Sequence, residues 1–178
     1  MVHIMVDIET LGRRPGCKVL SIGAVVFDKT GLKDTVYVII DRDNQGTLHE
    51  DPATLEWWQT QHDMLQDLES NNRSQRLDAA LKQFNDFIAQ SKLKYNDPNL
   101  CLWGNGPEFD NAILQVACAE MNIAPSWIHS DNRCYRTLKK MVPELKINRV
   151  GTLHNALDDA NSQALHAIEI LNRLNVWE

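Results

Sequence analysis

The chain has 178 residues, 43% of them apolar and 24% charged, proportions that suit one globular domain with a sizeable core. A formal net charge of −6 argues against a protein that coats nucleic acid through a broad basic surface, though not against one that grips a few terminal phosphates. No apolar run approaches the ~20 residues of a membrane span, and no basic stretch leads into an apolar one at the N-terminus, so no membrane partner and a cytoplasmic location are expected.

Three strand candidates open the chain, over 3–9, 19–28 and 35–40. Residues 10–18 hold Gly12, Pro15 and Gly16 and read as a loop. The turn-rich stretch 29–32 predicts an antiparallel hairpin between the second and third strands. Residues 41–50 are polar and loop-like. Asp51-Pro52 reads as an N-cap followed by proline in the first helical turn. A helix should follow through Trp57 and Trp58 to about residue 60, with 64–69 either continuing it or starting another. Ser74 is expected to cap an amphipathic helix that carries Leu77, Leu81, Phe84 and Ile88 on one face. A short buried strand over 100–103 ends at Gly104-Asn105-Gly106-Pro107. Helices are expected over about 109–121 and 136–141, and a last one from near Asn155, with Ala164, Leu165, Ile168 and Leu171 turned inward.

This order predicts an α/β fold, a mixed sheet with helices on its faces, as one domain over 1–178. Cys17, Cys101, Cys118 and Cys134 are scattered without a C-x-x-C pair, so buried reduced thiols are expected rather than a zinc or redox site.

The chemistry is carried by acidic residues. Asp7 and Glu9 are two apart on a strand and point to the same face. Two carboxylates side by side repel each other, and neither fits an apolar core unpaired. A divalent cation between them removes both objections. Alone, the pair could equally be solvated edge charges, and Asp110 an ordinary charge at a helix N-terminus. Asp110 follows a Gly-rich turn at the end of a buried strand, where ligands are usually found. His154 and Asp159 are five apart, about 140° around a helix axis, so they cannot share one helical face. His154 is therefore expected in the loop or first turn and Asp159 inside the helix. Asp158 lies about 100° off the face of Asp159 and would serve as a cap or dipole charge. Combined, these residues are the set that a two-metal phosphodiester hydrolase needs.

Three ordered motifs resemble those of the DEDDh 3′–5′ exonucleases, which share an RNase H-like core. Asp7-Ile8-Glu9-Thr10-Leu11-Gly12 is similar to the first and Gly104-Asn105-Gly106-Pro107-Glu108-Phe109-Asp110 to the second. His154-Asn155-Ala156-Leu157-Asp158-Asp159-Ala160 is similar to the third. The sister group carries a tyrosine four residues before the last aspartate; here that position is Asn155, which favours the histidine variant. Leu55-Glu56-Trp57-Trp58 is similar to a group of compact bacterial and phage exonucleases.

The resemblance implies an RNase H-like fold with helices on both faces of the sheet. It implies that Asp7, Glu9, Asp110 and Asp159 hold two Mg²⁺ or Mn²⁺ ions, and that His154 takes a proton from the attacking water. A neutral imidazole, available at slightly alkaline pH, suits that role. The implied reaction releases 5′-nucleoside monophosphates from the 3′ end of single-stranded DNA or RNA. Thr10, Leu11, Trp57 and His62 are the implied substrate contacts, Leu11 as an apolar wedge and Trp57 as a stacking surface. Trp58, in register with Leu55 and Leu65, is assigned to the core, as is Phe109. Arg13 and Arg14 are the preferred phosphate contacts, ahead of Lys139, Lys140, Lys146 and Arg149. Many similar enzymes pair into dimers, so a homodimer is carried as an expectation. The alternatives are a proofreading subunit that works only inside a polymerase complex, and a non-catalytic nucleic-acid-binding module. The choice of sugar is left open.

Overall fold

The computed structural model describes residues 1–177; Glu178, the last residue of the expected 1–178 domain, lies outside them. Five strands form one mixed sheet: β1 (Val2–Thr10), β2 (Val19–Asp28), β3 (Gly31–Ile39), β4 (Leu100–Gly104) and β5 (Asn132–Cys134), in the order β3-β2-β1-β4-β5. β1 runs antiparallel to β2 and parallel to β4, and β5 is parallel to β4. The helices are α1 (Pro52–Thr60), α2 (His62–Glu69), α3 (Leu77–Lys94), α4 (Asp110–Glu120), α5 (Tyr135–Met141) and α6 (Ala156–Leu174).

β1 is central, and its two faces separate cleanly. Val2, Ile4, Val6 and Ile8 pack with Leu77, Leu81, Phe84 and Ile88 of α3 and Ile113, Leu114 and Ala117 of α4. Met5 belongs to the opposite cluster, with Tyr135 and Leu138 of α5 and Ala160, Ala164 and Leu171 of α6. Helices thus cover both faces, and burial on both sides explains why β1 reads as a nearly continuous apolar run. Each fully buried Leu, Ile or Phe contributes about 1.5–3 kcal/mol. Period-two alternation then puts Asp7 and Glu9 on the α5/α6 face. A third cluster joins Leu11 and Leu20 to Trp58 of α1 and Leu68 of α2.

Several elements differ from the sequence expectation. β3 starts at Gly31, because the Asp28 carboxylate accepts the Thr30 N–H at 2.7 Å and closes a tight hairpin with Asp28 opposite Gly31. Ser74 does not cap α3. The chain there first bridges to the sheet, Gln75 N–H donating to the Ile39 carbonyl and its own carbonyl accepting from Asp41 N–H, so the helix starts only after Arg76. Asp51 does cap α1, accepting from Ala53 N–H at 2.9 Å. The polar strand β5 had no alternation to announce it. Leu165 is only half-buried, and His166 is the buried residue beside it. Among the described residues, no helix is long and apolar enough to cross a membrane.

Candidate active site

The parallel strand β4 stops one residue past its Met5–Trp103 pair while β1 runs on to Thr10, and the crevice outside such carboxyl ends is where open sheets place ligands. Asp7 and Glu9 lie toward the end of β1, opposite Gly23 and Ser21 of β2. β4 runs into the 105–109 turn, which delivers Asp110 into the first turn of α4, with 2% of its surface exposed. The third segment arrives because Gly23 has no side chain. A Cβ there would overlap the Ala156 carbonyl carbon and the Leu157 nitrogen, so the start of α6 sits directly on the sheet beside the Asp7 position.

The loop before α6 is fixed by its own polar groups. The Asn155 side chain caps α6, accepting from Leu157 N–H at 3.1 Å and Asp158 N–H at 3.2 Å. Asp158 turns away from the cleft to accept the Thr152 N–H at 2.7 Å, in keeping with its angular offset from Asp159. Gly151, at φ +72°, faces the same carboxylate, where a Cβ would collide with it. His154 takes a left-handed backbone at φ 64°, and its N–H donates to Asp159 Oδ2 at 3.0 Å. The imidazole therefore lies in the loop, as the five-residue spacing requires. Glu9, His154 and Asp159 each present a ligand atom within 4.8 Å of the others.

Neighbouring groups hold this cluster. Gln163 lies one turn beyond Asp159 on α6 and donates through Nε2 to Asp7 Oδ1 at 2.7 Å. Arg149 donates a charge-assisted hydrogen bond to Asp159. The Asp110 Oδ2 and Gln163 Oε1 atoms are buried with no hydrogen-bond partner among the described residues.

Crowding shifts the acids. Burial pushes Asp7 well above the usual carboxylate range, and Asp110 and Glu9 add repulsion. Glu9 is pushed up to about 8 by burial, then by Asp159 and Asp110. Asp110 rises to about 7, again through burial. A buried carboxyl oxygen without a partner, amid mutually repelling carboxyls, is the donor set that hard divalent cations satisfy. The residues present fit Mg²⁺ or Mn²⁺ rather than a soft metal, since no thiol lines the cleft among the described residues.

The cleft has a volume of about 620 Å³. Asp7, Glu9, Thr10, Arg13, Trp57, His154 and Asp159 all line it. Trp57 is 40% exposed, and its ring meets the His154 ring edge-on at 4.9 Å. Trp58 is buried, and its indole N–H donates to the Thr10 carbonyl at 2.8 Å, which anchors the strand end that carries Glu9.

Three expected substrate contacts are not brought to the cleft. Leu11 is wholly buried against Trp58 and offers no wedge. His62 opens α2, where its exposed ring lies beside Asp63 and lines a separate depression with Leu65 and Gln66. Arg14 is exposed outside the cleft, whereas Arg13 lines it 3.9 Å from Asp51. Conversely, Phe109, assigned to the core, packs on the core with one side and lines the cleft with the other. Asn105, Leu153 and Gln163 line the cleft without having been foreseen. Of these, Gln163 carried a usable signal, its i+4 spacing from Asp159.

A mixed five-stranded sheet that gathers these carboxylates and a histidine about one cleft is the fold and site of a 3′–5′ exonuclease domain, which acts on nucleic acid. The fold is similar to that of the nuclease domain of 3′hExo, a DEDDh family member, bound to rAMP. That match has a TM-score of 0.66 and 16% identity over 97% of this chain and 92% of that one. Exonuclease X in complex with 5′ overhanging duplex DNA gives 0.63 and 12%, covering 98% and 94%. A 3′-exonuclease engaged in 3′-end specific recognition of histone mRNA stem-loop gives 0.64 and 14%, covering 97% and 82%. No curated protein matches the sequence. Residues 2–171 match the Rv2179c-like 3′-5′ exoribonuclease domain, and the chain belongs to that family.

Proposed function

We propose that the protein is a metal-dependent 3′–5′ exonuclease that removes 5′-nucleoside monophosphates from a free single-stranded 3′ end, with RNA as the favoured substrate. The observation that carries this reading is the convergence, in one cleft, of carboxylates from residues 7, 9 and 159 with the His154 imidazole. The preference for RNA rests on the family description.

Asp7, Glu9 and Asp159 would hold one cation, and Asp7 with Asp110 a second. A bound pair of Mg²⁺ or Mn²⁺ ions supplies Lewis acidity at the phosphoryl group and offsets charge on the attacking and leaving oxygens. His154 accepts the proton of the attacking water on an imidazole nitrogen. The water oxygen bonds to phosphorus while the bond to the 3′ oxygen of the preceding nucleotide breaks, and that oxygen takes a proton from solvent and leaves as a hydroxyl. Gln163 fixes the orientation of Asp7, and Trp57, Phe109 and Leu153 supply the apolar wall on which a terminal base can rest. Arg13 and Arg149 supply positive charge at the rim. A homodimer belongs to the same reading, resting on the resemblance alone, and a cytoplasmic location rests on the sequence pattern alone.

The test is a side-by-side digestion of matched 5′- and 3′-labelled RNA and DNA oligonucleotides with Mg²⁺, Mn²⁺ or EDTA. Stepwise shortening from the 3′ end, faster on RNA and abolished by EDTA, is the expected result. Cleavage in EDTA, or shortening from the 5′ end, would refute the proposal.

A further inference from the structure

A second concavity of about 290 Å³ adjoins the cleft on its α5 side, and the two share Asn105, Arg149 and Gln163 as lining residues. Its rim carries Lys139, Lys140, Lys146 and Arg149. No carboxylate lines it among the described residues, although the chain as a whole is acidic. Among the described residues, none of the three lysines pairs with a carboxylate. Lys139 Nζ donates to the Asn105 side chain at 3.4 Å, and Lys146 Nζ to the Pro143 carbonyl at 2.8 Å. The polar groups of the floor are already satisfied: Tyr135 Oη bonds His166 Nδ1 at 2.7 Å, and His166 Nε2 bonds the Leu145 carbonyl at 3.2 Å.

Three lysines without a carboxylate partner, beside an Arg149 whose guanidinium already pairs with Asp159, ring this concave, carboxylate-free site. Burial, and then repulsion from Arg136, Arg149 and Lys140, hold Lys139 below the usual lysine range. An anion placed among them relieves that repulsion and gains charge-assisted hydrogen bonds. Because Asn105, Arg149 and Gln163 belong to both cavities, an extended anion reaching from one into the other stays in contact with protein throughout.

We infer that this pocket is a phosphate subsite for the substrate strand, taking the phosphate one nucleotide upstream of the bond that is cut. The inference rests on the exonuclease reading above and adds to it a minimum substrate, a dinucleotide whose 5′ end is phosphorylated. A single bound nucleotide ester would fill only the carboxylate cleft.

The test compares two ribodinucleotides, one with a 5′-phosphate and one with a 5′-hydroxyl. Binding is measured by calorimetry in EDTA and turnover with Mg²⁺. The wild-type protein should bind the phosphorylated form about tenfold more tightly, as expected when a charge-assisted contact is gained. In a Lys139→Gln/Lys146→Gln variant that advantage should vanish, with binding of the 5′-hydroxyl form unchanged. Lys139→Arg should keep it. Binding of a longer single strand should lose about 0.7 from its log–log salt slope for each phosphate contact removed. A Lys140→Gln/Lys146→Gln variant, altered only at exposed positions, provides the same comparison should the first pair fold poorly. Equal affinity of wild-type protein for the two dinucleotides, or a 5′-phosphate advantage that survives both variants, overturns the subsite. Phosphate-dependent binding without any turnover would uphold the subsite and overturn the exonuclease reading instead.

Discussion

Replacing Glu9 with glutamine should stabilise the metal-free protein at alkaline pH, although it removes a residue assigned to the reaction. Unfolded, this carboxyl ionises near its ordinary 4.5; folded, it ionises near about 8. Below 4.5 it is neutral in both states and costs nothing. As pH rises, the unfolded chain loses its proton first, so the folded state loses ground until both are ionised above about 8. At 1.36 kcal/mol per pH unit, the full loss is on the order of 5 kcal/mol. Asp7 and Asp110 are raised in the same direction and steepen the trend. Urea denaturation in EDTA at pH 5, 7 and 8.5 measures this directly. The wild-type protein should weaken steadily over that range, Glu9→Gln should weaken less, and the gap should reach several kcal/mol at pH 8.5. Mg²⁺ at a hundred times Kd should narrow the gap, adding about 2.7 kcal/mol to the wild-type protein and less to the variant. Wild-type stability that is flat or rising from pH 5 to 8.5, with no gap to the variant, would mean that these carboxyls are not packed together.

His154→Ala should lower turnover by about 10²–10⁴-fold while calorimetric Mn²⁺ binding is retained; an unchanged rate would remove the proton-accepting role. Trp57→Ala should weaken binding of a single strand by about 1–3 kcal/mol without moving the melting temperature, because its ring is partly exposed at the cleft. Trp58→Ala should do the opposite, costing about 3–5 kcal/mol of stability as a buried aromatic. Gly23→Ala should cost about 1–3 kcal/mol through overpacking against α6 and depress activity about 10²-fold by displacing Asp159, as urea melts and rate assays would show.

Elements whose burial follows one period were legible in the chain itself. β1, β2, α3 and α4 fall within a few residues of where alternation or the 3.6-residue repeat puts them. The separation of Trp57 from Trp58 was also legible, because register with Leu55 and Leu65 decides which tryptophan turns inward. What escaped depends on partners distant in sequence. Ser74 looks like a cap until the sheet edge at Ile40 claims Gln75. Leu11 follows the strand that carries Asp7 and Glu9 and looks available to substrate, yet α1 and α2 close over it. Leu165 looks buried by its apolar character, but the inward position goes to His166 because Tyr135 and the Leu145 carbonyl satisfy both imidazole nitrogens. The acidic residues stood out because no apolar core accommodates them, whereas Gln163 and Asn105, neutral and unremarkable, did not.

Asp7 lies on the first strand and Asp159 on the last helix, which docks only where Gly23 leaves room. A chain still on the ribosome, built from its N-terminus at about 5–20 residues per second, carries one half of the acidic set without the other. A product truncated ahead of Ala156 lacks the whole of α6, Asp159 included. The proposed site is thus completed only when the last helix has been made, a consequence of where along the polypeptide the acids are encoded.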